Sequence, residues 1–443
     1  MSVSTASVSR NHLLHILGLA FSVAVALGSM IGSGIMGAPA RIAGDIDSTL
    51  VILAIWVVGA VHASLAANVY AELGTSVPQA GGPYVFTHRA MGDVPGLVVG
   101  WGTWAATVAG TAANSIVFAD ALGKLAPAMA PHTAGIAVAL QVILYGTNIL
   151  GLREGRALQE VTSFAKAALL FVMAALAVFL VPPPASASMP DLGTALTWAG
   201  IINGYHLVRG AYAGWDAPVY FSEENVVPGK SVARGIFIGL AMTAVLYILV
   251  NASLLHALGP TTLSASKVPF ADALSGPLGG TAVTLVSLAT MVIVLSCTNA
   301  NIMIAPRTLF ALSRDRLLPH QIAAVNAGGS PHWAYVISGV ASIALAATGQ
   351  FRLVFGLIGT LDTLTGLLTE ISFFILRRRE PDLPRPYRAV GYPVLPALAV
   401  VIDASLMVLF NYADYQGAIA AAVMIVLCVP FAWIARRARQ ASA

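Results

Sequence analysis

The chain has 443 residues, 58% of them hydrophobic and only 9% charged, with a formal net charge of +4. A soluble protein carries roughly 25% charged residues, so the composition rules out a soluble enzyme or binding domain and makes this an integral membrane protein. The small net charge gives no reason to expect a nucleic-acid partner, and Cys297 and Cys428 lie in apolar runs without metal-ligand or disulfide spacing.

Apolar runs of about 20 residues predict an all-α chain of twelve transmembrane helices. Their limits fall near 13–38, 48–72, 94–122, 132–151, 158–181, 192–221, 232–257, 278–311, 332–348, 353–376, 392–411 and 416–435. Residues 1–12 and 436–443 are short polar tails. The first run is too long and too rich in glycine for a cleaved signal peptide. Gly28, Gly32, Gly34, Gly37 and Pro39 crowd its middle and far half, which predicts a helix break near residues 32–34. In hydrocarbon a break strands backbone N–H and C=O groups, so it is tolerated only where protein, water or a solute supplies partners.

In the fifth span Lys166 lies about eight residues inside, roughly 12 Å deep. A lysine there needs a partner or loses its proton. The sixth span is broken in turn by Gly210, Gly214 and Pro218. Within it Arg209 cannot deprotonate and needs an anion. The anion is either a substrate carboxylate or an acid such as Asp362, at similar depth in the tenth span. Asp403 is equally deep, but its helix, the eleventh, is expected to lie outside the core. His206 stands one turn from Arg209. Asp216, Glu223 and Glu224 are expected to pair with loop arginines at the inner end, and Glu370 with a cytoplasmic arginine. Trp215 reads as packing beneath the site, and Trp101 and Trp104 as core.

The first and sixth spans each open a set of five, and the odd spacing inverts the second set. Broken helices at matching positions of inverted halves point to a transporter's midplane site. Half-helix N-termini favour a carboxylate and half-helix C-termini a cation, and an amino acid carries both. Seventeen of the 23 lysines and arginines fall in alternate segments that include both ends or at the span ends bordering them, against four in the others. That bias puts both termini in the cytoplasm of a cell membrane.

The chain resembles the amino acid–polyamine–organocation (APC) superfamily, and its LAT-like amino acid transporters in particular. The resemblance rests on Gly32-Ser33-Gly34-Ile35, on Ala71-Glu72-Leu73 through Gly81-Gly82-Pro83-Tyr84, and on Ala211-Tyr212-Ala213-Gly214-Trp215 followed by Glu223-Glu224-Asn225. Asn299 through Pro306-Arg307, then Ser313-Arg314-Asp315-Arg316, and Arg385-Pro386-Tyr387-Arg388 complete it. It implies a LeuT-type 5+5 inverted repeat over about 13–181 and 192–376, followed by two additional helices within 392–435. It implies that Ile31, Gly32, Ser33, Gly34 and Ile35 offer N–H groups to the substrate carboxylate. It further implies that carbonyls around Gly210, Ala211, Tyr212, Ala213 and Gly214 take the amino group. Lys166 matches a fifth-helix lysine that stands where sodium-coupled relatives hold an ion. The family's bulky aromatic before the Ala-Tyr-x-Gly-Trp pattern is replaced here by Gly210, which leaves Tyr205 or Tyr212 as the gate, or a larger substrate.

The expected activity is secondary active transport, as symport or exchange, of an amino acid or a related amine. The alternative is a permease for a polyamine or a larger amino-acid derivative. No metalloprotease or serine–histidine constellation suggests an enzyme. No nucleotide-binding loop suggests ATP drive, and no cofactor or metal is implied. Protons remain open as coupling ions.

Overall fold

The computed structural model describes residues 13–184, 197–348 and 358–413, with scattered positions between 419 and 437. The predicted N-terminal tail, nearly all of the C-terminal tail, the first residues of the sixth and tenth runs and much of the twelfth lie outside the described residues.

The described chain is helical. The first run is two helices, α1 (Leu19–Met30) and α2 (Ser33–Asp45), meeting at a 43° bend. There follow α3 (Thr49–Ser76), a short α4 (Pro83–Met91), α5 (Asp93–Leu125), α6 (Thr133–Leu150) and α7 (Leu152–Leu180). Next come α8 (Trp198–Tyr212), a 3-10 segment (Ala217–Glu224), α9 (Pro228–Ala265) and a short α10 (Pro269–Leu278). The last are α11 (Thr281–Arg314), α12 (His332–Ala347), α13 (Ile358–Arg379) and α14 (Val394–Ala413). Among the described residues six helical stretches are long and apolar enough to cross a membrane, and the bent pair α1–α2 makes a seventh if it counts as one span.

Two short helices, α4 and α10, were not among the predicted runs. Both open on a proline at the first helical positions, where the missing N–H costs nothing. In front of α4, Gly81 and Gly82 take φ of +119° and +60°, a turn that only glycine makes without strain.

α1 packs between α7, α9 and α11, with Leu27 and Met30 buried among them. Small residues let these helices approach closely. A Cβ on Gly28 would lie 1.8 Å from Gln159 Nε2. Behind α1 a buried amide chain crosses three helices. Asn148 of α6 donates to Asn299 of α11 at 2.8 Å, and Asn299 donates to Gln159 of α7 at 2.8 Å. With no hydrophobic drive between helices in lipid, close packing and such bonds hold the bundle together.

Candidate substrate site

The first break falls at Ile31 and Gly32, slightly ahead of the expected residues 32–34. Both are extended, with ψ of 90° and −156°. A helix end leaves its last carbonyls without partners, and here side chains supply them. Lys166, fully buried on α7, donates from Nζ to the carbonyls of Gly28 at 2.7 Å and Ile31 at 2.5 Å. Cys297 Sγ reaches the Ser29 carbonyl at 3.4 Å, and Tyr247 Oη donates to that of Met30 at 2.8 Å. The carbonyl side of the break is therefore occupied by α7, α9 and α11.

The N–H side is not. Gly32 is the N-cap of α2 and has no side chain to offer. The first-turn N–H groups of Ser33, Gly34 and Ile35 have no acceptor within the helix. Gly32, Ser33 and Gly34 line the main cavity. The side chains of Ile31 and Ile35 turn into the core, at 0% and 1% exposed, so those two residues bring only backbone.

The second break follows Tyr212. Ala213 is extended, Gly214 has φ +101°, and the chain resumes as the 3-10 segment. Gly210 lies inside α8 rather than at the break. A Cβ on Gly214 would stand 2.9 Å from the Ser29 backbone carbon, so both the backbone angle and the close approach require glycine. The two breaks touch. A Cβ on Gly34 would meet the Ala211 Cα at 3.8 Å, and Tyr247 Oη, already on Met30, also lies 3.0 Å from the Ala211 carbonyl.

Between the breaks lies a cavity of about 730 Å³. It runs toward the end of the bundle where Arg41, Lys124 and Lys267 are exposed. Arg209, Gly210, Ala211, Tyr212, Ala213, Gly214, His206, Trp215, Asp216 and Asp362 also contribute to its wall. Tyr212 is 1% exposed and donates to the Trp56 carbonyl at 3.2 Å. Tyr205 shares a 2.7 Å hydrogen bond with His62 Nδ1. Trp215 packs edge-on against Tyr70 at 4.8 Å, and Trp101 meets Trp104 in the same way at 5.3 Å.

Arg209 pairs with Asp362 at 3.0 Å and with Asp403 at 3.4 Å. Asp403 was expected to be out of reach. It is in the network because α14 packs against α3 and α13 and carries its carboxylate, 3% exposed, inward to Arg209 and His62. Two further expectations are corrected. Glu370 meets no arginine: it is buried in the cavity wall, and among the described residues no nitrogen or hydroxyl donor reaches either carboxyl oxygen. Asp216 accepts from Tyr220 at 3.4 Å rather than from a loop arginine, because the turn after Ala213 aims it into the cavity.

The opposite end of the bundle is closed by ion pairs. Arg307 grips Glu224 through two bonds at 3.0 and 2.9 Å, both side chains fully buried, with its guanidinium 4.7 Å over the Phe221 ring. Arg314 holds Glu223 at 2.6 Å. Glu72 takes Arg377 and Arg385, and Arg89 takes Glu380. His88 lies between Asp93, at 2.9 Å, and Asp315, at 3.3 Å. The hydrogen bond to Asp315, with Asp93 in support, raises the His88 pKa above that of a free histidine despite partial burial.

Sequence reasoning missed Tyr247 and Cys297. The available signal was faint: one tyrosine and one cysteine among several polar residues of their spans.

The profile of the family described as "Amino acid permease" matches residues 17–434. The chain is similar to the Large neutral amino acids transporter small subunit 2 of Rattus norvegicus, 25% identical over 86% of this chain and 73% of that one. It is similar to the Branched-chain amino acid permease BcaP of Bacillus subtilis, 25% identical over 85% of this chain and 83% of that one. An uncharacterized transporter of Mycobacterium tuberculosis is 30% identical over 76% of this chain and 74% of its own length.

Proposed function

The chain belongs to the amino acid permease family, whose members are membrane transporters and not enzymes, and on that premise we propose that it carries its amino acid by alternating access, held between the two helix breaks. The observation that carries this reading is the asymmetry of the first break. Its carbonyls are taken by Lys166, Cys297 and Tyr247, while its N–H groups face the cavity uncapped. A helix N-terminus of that kind favours an anion, here the substrate carboxylate. The carbonyls at the end of α8 then take the α-amino group. Lys166 fixes the break in place of a metal cation, which leaves proton symport or exchange as the drive.

The twelve-span count, the 5+5 inverted repeat and cytoplasmic termini in the cell membrane belong to the same reading. In that orientation the cavity faces outward, and the pairs of Glu72, Glu223 and Glu224 form the inner gate. The printed names of two relatives favour a neutral, branched or otherwise large side chain. The second reading, an amine or a larger amino-acid derivative, is favoured by the acidic wall residues Asp216, Asp362 and Asp403.

Counterflow in proteoliposomes separates the two. A radiolabelled panel of amino acids, with putrescine and spermidine alongside, is expected to give saturable exchange only for compounds with a free α-carboxylate. Polyamines exchanged as fast as amino acids would overturn the carboxylate role of the α2 N-terminus.

A further inference from the structure

One carboxyl in the cavity wall makes no ion pair among the described residues. Asp362, Gly366 and Glu370 follow one face of α13 along the cavity. Asp362 and Asp403 share the guanidinium of Arg209, and His62 stands 3.4 Å from Asp403. Glu370 makes no ion pair with Arg209 or His62 among the described residues. It is 0% exposed, and among the described residues no N–H or O–H donor reaches either oxygen. An ionised carboxylate buried without a donor is strongly disfavoured.

Titratable and charged groups on several elements line the same cavity as Glu370. Tyr70 and His62 come from α3, Arg209 from α8, Asp216 and Tyr220 from the turn and 3-10 segment, Asp403 from α14 and Asp362 from its own helix. Together they hold one fixed cation, Arg209, against several acids.

We infer that Glu370 is the proton-carrying group of the transport cycle, taking a proton from the open cavity, holding it while buried, and releasing it to water on the other side. This rests on the transport reading above and adds the coupling ion and its seat. Coupling follows from burial. With both oxygens shut off from water and no donor among the described residues at either, even while the cavity is open, Glu370 passes between the open states with the proton on. One proton then crosses with each substrate.

The test uses the full chain in proteoliposomes, with whichever of the twenty labelled amino acids exchanges fastest. An inward pH gradient is expected to drive wild-type accumulation at least tenfold above equilibrium. Glu370→Gln is expected to keep exchange within threefold of wild type and to lose the accumulation, whereas Glu370→Asp retains part of it. Should E370Q fold poorly, wild-type vesicles loaded with a pH-sensitive dye give an independent reading: external substrate should acidify the lumen with no gradient imposed. Gradient-driven accumulation by E370Q equal to wild type overturns the inference, as does substrate uptake without acidification. Loss in E370Q of cationic amino acids alone, with proton drive intact, also overturns it and makes Glu370 a side-chain contact. Wild-type vesicles that exchange no amino acid at all overturn the transport reading, and this inference falls with it.

Discussion

At the scale of the residue, Lys166 is the plainest case of a side chain whose place explains its depth. Its ammonium closes two of the carbonyls left open by the end of α1. Lys166→Ala is expected to slow transport at least tenfold while membrane abundance falls less than twofold. Parallel loss of both would make the residue merely structural. Arg209 is matched by two carboxylates, and removing it leaves both without a cation beside the cavity. Arg209→Ala should therefore shift the substrate profile toward cationic amino acids, read as relative uptake across the panel. An unchanged profile at an unchanged rate would remove Arg209 from the site. Both residues were legible in the sequence as charges in apolar runs. Asp362 was legible as one candidate partner of Arg209; the Asp403 pairing was not, because it depends on how α14 docks, which no local pattern encodes.

At the scale of the element, the helix breaks decide where polar backbone meets the cavity. The glycine density of the first and sixth runs was enough to place both breaks within a few residues. It was not enough to show that the second half of the sixth run is a 3-10 segment or that Gly210 is helical. Gly214 is the most constrained position of this pair. Its left-handed backbone alone disfavours a side chain by about 1–2 kcal/mol, and a Cβ would also press on Ser29. Gly214→Ala is expected to lower transport at least tenfold. Gly210→Ala, with open space around it, should stay within about twofold. Equal effects in a counterflow assay would contradict the assignment of the break to residues 213–216.

At the scale of the whole molecule, one end of the cavity is open and the other is tied shut. Breaking a fully buried ion pair by removing one partner costs about 3–5 kcal/mol. Arg307→Ala should therefore depress the thermal midpoint of the purified protein sharply, and pairing it with Glu224→Gln should recover part of the loss. At the same end His88 is held above its ordinary pKa by Asp315 and Asp93. A raised pKa means that the protonated form stabilises the fold. That contribution is complete below about pH 6.5 and fades as the pH rises through the raised value. A thermal-shift series should show this decline in wild type and a flatter profile in His88→Asn.

The sequence by itself determined the membrane class, the helical runs, the two weak points in them and the charges that have to find partners. Those follow from hydropathy, glycine content and the cost of stranded polar groups, all properties of a stretch of chain on its own. Only the tertiary structure decided which partner each group took. Lys166 went to the carbonyls of the first break, Asp403 to Arg209, Glu224 to Arg307, and Glu370 was left without an ion pair among the described residues. Helices far apart in sequence meet side to side, and the contacts depend on packing angle and depth rather than on spacing along the chain.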